Sequence, residues 1–144
     1  MGMAPTVVFV CLHGSAKSLI AAEHCQKLAS QRGMDLRVTA AGLEPDEKIP
    51  SPVVDGLLRD GIDVHGRQPR RISREDLAGA WRVVSFGCDV GGMVPSGVTV
   101  ERWDDIPAVS ENFDVARDAI VARVARLVGA WEGPPEPMTR SQGA

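Results

Sequence analysis

The chain has 144 residues, 44% hydrophobic and 24% charged, with a formal net charge of −3. That length holds one compact domain and excludes two independent cores, and a domain of this size needs no metal or disulfide staple. Charges of both signs are interspersed, which excludes an electrostatic footprint for nucleic acid, and the apolar run Val7–Leu12 is far too short for a membrane span or an export signal. A cytoplasmic location is therefore the expectation. The three cysteines, Cys11, Cys25 and Cys88, are odd in number and widely spaced. Neither a disulfide scaffold nor a CxxC zinc pattern can be drawn from them, and reduced thiols are expected.

Thr6–Cys11 reads TVVFVC, a continuous β-branched and aromatic run suited to a strand buried on both faces. The polar loop His13-Gly14-Ser15 follows, and Leu19, Ile20, Ala22, Cys25, Leu28 and Ala29 recur at helical spacing up to a cap at Gly33. A second strand is predicted over Leu36–Ala41. Ser51-Pro52 opens a helix that carries Val54, Leu57 and Leu58 on its buried stripe and closes at Gly61. Gly66–Arg74 is a basic connection with Arg67, Arg70, Arg71 and Arg74, readable as a docking surface or, more plainly, as a solvated loop. A short helix over Ser73–Ala78 begins with the cap pair Ser73 and Asp76. Strands follow at Arg82–Phe86 and Val98–Trp103, separated by the glycine-rich stretch Gly87–Gly97. Phe113, Ile120, Val124, Leu127, Val128 and Trp131 share one face of the last helix. After Glu132 the composition turns to GPPEPMTRSQGA, so a domain over 1–132 and a disordered tail over 133–144 are predicted.

Read this way, a strand–helix order repeats four times, which points to an α/β fold with a parallel sheet flanked by helices. In such sheets ligands gather at the carboxyl ends of the strands. Cys11, the Gly87–Gly97 loop and the segment Trp103–Pro107 all follow strands and can meet there.

Chemistry concentrates in the first of these loops: Cys11, Leu12, His13, Gly14, Ser15, Ala16, Lys17 and Ser18. Backbone N–H groups in a tight turn at a helix N-terminus form a site for a tetrahedral oxyanion. The same field favours a thiolate and so a nucleophile at Cys11. Gly14 supplies freedom for the bend, Ser15 and Ser18 supply hydroxyls, and Lys17 a positive charge. The plainer alternative is a small buried hydrophobe at a strand end, followed by an ordinary turn. A cysteine, a glycine, two serines and a cation at one strand–loop–helix junction favour a functional site.

The stretch VVFVCLHGSAKSLIAAEH resembles the opening of the low-molecular-weight protein tyrosine phosphatases and the related arsenate reductases, which carry C-x5-R-S after their first strand. Ala41-Gly42-Leu43-Glu44-Pro45, Asp60–Val64, Val83–Asp89 and Trp103–Pro107 resemble further segments of that family in the same order. They favour its arsenate-reductase branch, and the absence of tyrosine excludes the Asp-Pro-Tyr acid loop of the phosphatases. The resemblance implies a single flavodoxin-like domain with a four-stranded parallel sheet and no cofactor.

It also implies roles. Cys11 is the nucleophile, and Lys17 stands where the family has arginine, a point charge in place of a planar bidentate grip. His13-Gly14 replaces the family's Gly-Asn, and His13 either assists proton transfer or holds the anion, or else only points to solvent. Glu23 falls one residue later than the family's glutamate. Cys88 matches a resolving thiol, with a strand-end core thiol as the alternative reading. Cys25, among apolar neighbours, is read as core. Asp105 is the preferred general acid and Asp104 its substitute, against a solvated pair that caps a turn. Val94 and Pro95 occupy the region where a third relay cysteine would lie, so the expected reductant is an external thiol or redoxin. Arsenate reduction is the first functional expectation and hydrolysis of a phosphate ester the second. A scaffold that only binds anions or a protein partner is the third. None of them calls for nucleic acid, membrane or metal.

Overall fold

The computed structural model describes residues 5–131; the tail expected over 133–144 lies outside the described residues. In chain order the elements are β1 (Thr6–Cys11), α1 (Lys17–Gln31), β2 (Arg37–Gly42), α2 (Ser51–Arg59), α3 (Arg74–Leu77), β3 (Arg82–Ser85), β4 (Thr99–Arg102) and α4 (Phe113–Gly129). All strand pairs are parallel, in the order β2-β1-β3-β4. The interior place of β1 explains its unbroken apolar run. Val7, Phe9 and Cys11 enter one core with Ile20 and Cys25 of α1, Leu57 of α2 and Ile120 and Val124 of α4. Val8 and Val10 enter a second core on the opposite face with Ile72, Leu77, Val83 and Val90. No helix among the described residues is long and apolar enough to cross a membrane.

The fourfold strand–helix alternation is corrected in one respect. Two helices, α2 and α3, lie between β2 and β3, and no helix joins β3 to β4. Gly87, Gly91, Gly92, Pro95 and Gly97 crowd that crossover, and glycine and proline are the residues least compatible with a helix interior. The predicted short helix does form: the Ser73 hydroxyl accepts from Asp76 N–H at 3.2 Å while the Asp76 carboxylate accepts from Ser73 N–H at 2.8 Å. The last helix opens on Asn112, whose side chain accepts from Val115 N–H.

Strand order reverses at β1, which has β2 on one side and β3 on the other. Such a reversal opens a crevice at the carboxyl ends of the strands, lined by the segments immediately after β1 and β3. Those segments are the Cys11–Ser18 loop and the turn that ends at Cys88.

Candidate active site

Between β1 and α1 the chain turns back on itself, and hydrogen bonds from behind fix the turn. The carbonyls of Cys11, Leu12 and His13 accept the N–H groups of Leu43 (3.2 Å), Glu44 (2.7 Å) and Asp46 (3.2 Å). A trans peptide is planar, so each such carbonyl sends the next N–H, that of Leu12, His13 or Gly14, to the opposite side. Gly14 N–H marks that side as the thiol's, lying 3.2 Å from Cys11 Sγ. α1 then starts without a capping side chain, which leaves its first N–H groups to add to the same positive field.

Two glycines make the turn possible. Gly14 has φ +65°, and a Cβ there would lie 2.6 Å from Gly42 N, while one on Gly42 would lie 2.5 Å from Gly14 N. The loop and the end of β2 touch backbone to backbone, and neither position has room for a side chain.

Cys11 is buried, and besides Gly14 N–H its Sγ has the Ser18 hydroxyl at 3.0 Å. Gly14 N–H donates to the sulfur, and the Ser18 hydroxyl stands where it can donate as well once the thiol has lost its proton. Ser15, expected to face the thiolate or anion, turns away: its hydroxyl donates to Asp46 Oδ2 at 2.8 Å. His13 is half exposed, with Nδ1 at 3.1 Å from the Glu44 carbonyl and 3.4 Å from Asp46 Oδ1. Both residues therefore pin the loop to the segment after β2. Lys17 Nζ donates to the Ile106 carbonyl at 3.0 Å, tying the start of α1 to the segment after β4. An ammonium has three protons, so two remain for an anion.

The turn after β3 holds the second thiol. Cys88 is buried, its Sγ 3.7 Å from the carbonyl of Val10, the residue before Cys11. The fully buried Ser85 hydroxyl donates to the Cys88 carbonyl and lies 3.5 Å from Cys88 Sγ. Burial pushes the Cys88 thiol above its ordinary range; the Ser85 contact opposes this and negative charge on Cys11 adds to it. Cys25 is a core residue with no exposure, and burial pushes its thiol up to about 12. It takes no part in the site.

The two candidate acids separate. Both oxygens of Asp105 lie 2.6 Å from an Arg123 guanidinium nitrogen, and the side chain is 72% exposed. Among the described residues it has no hydrogen bond to the Cys11–Ser18 loop. Asp104 accepts from Arg102 Nε at 3.0 Å and from Gly87 N–H at 2.9 Å. The Arg102 contact, helped by Gly87 N–H and the charge of Lys17, holds its carboxyl below the usual range.

The arginines of the basic connection are taken up in stapling. Arg67 pairs with Glu23 at 2.7 Å, Arg70 with Asp76 at 2.7 Å, Arg71 donates to the Leu43 carbonyl at 2.8 Å, and Arg74 donates to the Gly92 carbonyl at 3.5 Å.

All six aromatic side chains of the sequence are located, and none offers a face at the mouth of the loop. Phe9, Phe86 and Trp103 pack on one another in the core, with Phe86 6% and Trp103 4% exposed. Phe113 is buried under Arg59 and Arg117, and Trp81 meets Trp131 edge to face beyond the opposite end of β3.

Residues 6–96, from β1 through the Cys88 turn, match the family described as low molecular weight phosphotyrosine protein phosphatase. The chain belongs to that family. This phosphatase family match ends before β4, so the Trp103–Pro107 segment lies beyond it. The chain is also 26% identical over 124 residues to a Halobacterium salinarum protein named "Putative arsenate reductase", covering 83% of this chain and 87% of that one. Among solved structures it resembles the thioredoxin-dependent arsenate reductase of Corynebacterium glutamicum (TM-score 0.72, 22% identity), covering 90% of this chain and 62% of that longer one. It also resembles a low molecular weight phosphotyrosine phosphatase of Vibrio cholerae (TM-score 0.76, 17% identity), covering 90% of this chain and 97% of that one. At those identities the structural likeness is one of fold, and it agrees with the four-stranded parallel sheet expected from the sequence.

Sequence reading missed the residues that support the site. Asp46 carries no motif. Ser85 had a signal, a hydroxyl inside the apolar run Val83–Phe86 that a buried strand end must satisfy. The Ile106 carbonyl that receives Lys17 is backbone and has no signature at all.

Proposed function

We propose that the protein is a thiol-dependent reductase of a small inorganic oxyanion, arsenate, with Cys11 as nucleophile and Cys88 as resolving thiol. The observation that carries this reading is the second thiol, whose Sγ lies 3.7 Å from the carbonyl next to Cys11 in the chain. The Cys11 thiolate attacks arsenic(V) and forms an S–As bond, and an arsenate oxygen leaves as water. The Cys88 thiolate then attacks Cys11 Sγ. The S–S bond forms, the S–As bond breaks, and its electron pair stays on arsenic, which departs as arsenite. Two thiols supply the two electrons. Because Cys25 is buried and hard to ionise, an external low-molecular-weight thiol or a redoxin restores the pair.

The loop amides, the start of α1 and the free protons of Lys17 hold the oxyanion, and Ser18 and Gly14 N–H steady the sulfur. Two features weigh against hydrolysis of aryl phosphates. No exposed aromatic face stands at the loop to stack on a phenyl ring; of the two candidate acids, Asp104 is held toward its ionised form by Arg102, and Asp105 is paired with Arg123 with no hydrogen bond to the loop. The naming of the Halobacterium relative supports the same choice.

Wild type, Cys11→Ser and Cys88→Ser would be assayed for arsenite release with added thiol and for aryl phosphate hydrolysis. The reading expects arsenite release that needs both cysteines. Hydrolysis that needs Cys11 and not Cys88 assigns the protein to the phosphatases instead.

A further inference from the structure

Resting on the reading of Cys88 as the resolving thiol, we propose that Asp104 is a positioning residue: its carboxylate clamps the Ser85–Cys88 turn so that Cys88 faces Cys11. The clamp has two ends. Asp104 Oδ1 accepts Gly87 N–H at 2.9 Å, and Oδ2 accepts Arg102 Nε at 3.0 Å. Gly87 sits at φ +73°, a conformation that other residues rarely adopt, at the corner immediately before Cys88. A hydrogen bond to that N–H therefore fixes the Phe86–Gly87 peptide, the unit that leads into the corner on which Cys88 follows.

On its inner side the same turn is held by the Ser85 hydroxyl on the Cys88 carbonyl and by the Val10 carbonyl near Cys88 Sγ. Asp104 is the outer counterpart of these contacts. Arg102 is the last residue of β4, and the backbone at Trp103 continues the pairing, its N–H donating to the Ser85 carbonyl at 2.9 Å. The carboxylate thus hangs from a strand end already docked on β3, a fixed mount for a glycine corner. A clamp needs acceptor oxygens, which the carboxylate held toward its ionised form by Arg102 supplies at both ends. A general acid needs the protonated form, which the same contact disfavours.

The test uses a chromogenic aromatic disulfide on the full chain, so it needs no arsenate turnover. Attack by the Cys11 thiolate releases one aryl thiolate and leaves a mixed disulfide. Attack by Cys88 on Cys11 Sγ then releases the second aryl thiolate and leaves a Cys11–Cys88 bridge. Stopped-flow absorbance separates the two releases, and peptide mapping identifies the bridge.

Asp104→Ala is expected to slow the second release about tenfold or more, by the same factor at every pH at which the Asp104 carboxylate is ionised, and to leave the first unchanged. Asp104→Asn keeps an oxygen for Gly87 N–H and recovers most of the rate. Arg102→Ala loosens the mount and falls between the two. If Asp104→Ala fails to fold, the ordering of wild type, Asp104→Asn and Arg102→Ala decides. Equal second releases in wild type and the variants, equal slowing of both releases, or no second release in wild type each overturn the proposal. A wild type that makes no arsenite, yet whose second release depends on Asp104, keeps the clamp and refutes the reductase reading. Cys88-dependent arsenite release with a second release indifferent to Asp104 does the reverse.

Discussion

Two thiols stand at the same edge of the sheet, and they are held by different means. The Cys11 loop is held by main chain: three of its carbonyls are taken by the segment after β2, and Gly14 rests on Gly42 backbone to backbone. The Cys88 turn is held largely by side chains, Ser85 from within and Asp104 from without. A backbone-built loop points several fixed N–H dipoles at one spot without reorganising, which suits binding a charged tetrahedron. A turn held by hydroxyl and carboxylate can yield by a small amount, which suits a thiol that must approach another sulfur. The first is a cradle and the second a hinged arm.

Changes to the cradle should have the largest effects. Cys11→Ser removes the nucleophile and is expected to bring arsenite release below detection in a thiol-coupled assay. Gly14→Ala places a Cβ against Gly42 at positive φ, and thermal or denaturant unfolding should show a loss of roughly 2–4 kcal/mol together with loss of anion binding. The arm should be more forgiving. Ser85→Ala removes one buried hydroxyl, for a loss of about 1–3 kcal/mol, and slows formation of the Cys11–Cys88 bridge while phosphate binding at the loop persists. Equal loss of both functions in either glycine or serine variant would erase the distinction between the two regions.

The smallest effect serves as a control, because it touches neither turn. His24 of α1 contacts Asp60 at 3.2 Å, and burial lowers its pKa below the ordinary 6.5 in spite of that carboxylate. The unfolded chain therefore takes up the proton first as pH falls. The contribution to stability is complete above pH 6.5 and is lost as pH drops through the folded-state pKa. Melting temperature should decline by a few degrees over that interval, and His24→Gln should flatten the decline. Anion binding at the loop should not change with it.

Legibility in the sequence divides along the same line. The elements and the Cys11–Ser18 loop could be read because apolar periodicity and a cysteine, glycine, serine and lysine at a strand–helix junction are local signals. The crossover from β3 to β4 was misread as part of a regular alternation, although its glycines already argued against a helix. The choice between Asp104 and Asp105 was not legible at all. The two are neighbours in sequence, and only the fold sets one on Arg102 and Gly87 and the other on Arg123. Ser15 likewise reads as part of the cradle, and only the fold brings Asp46, distant in sequence, to take its hydroxyl.

The most direct measurement is a single turnover without any external thiol: reduced, desalted protein mixed with excess arsenate, with arsenite counted and the cysteines mapped by mass spectrometry. About one arsenite per chain is expected, matched by one Cys11–Cys88 disulfide, and none from Cys88→Ser. Arsenite formed without that disulfide, or no arsenite while Cys11 still binds the anion, would contradict it.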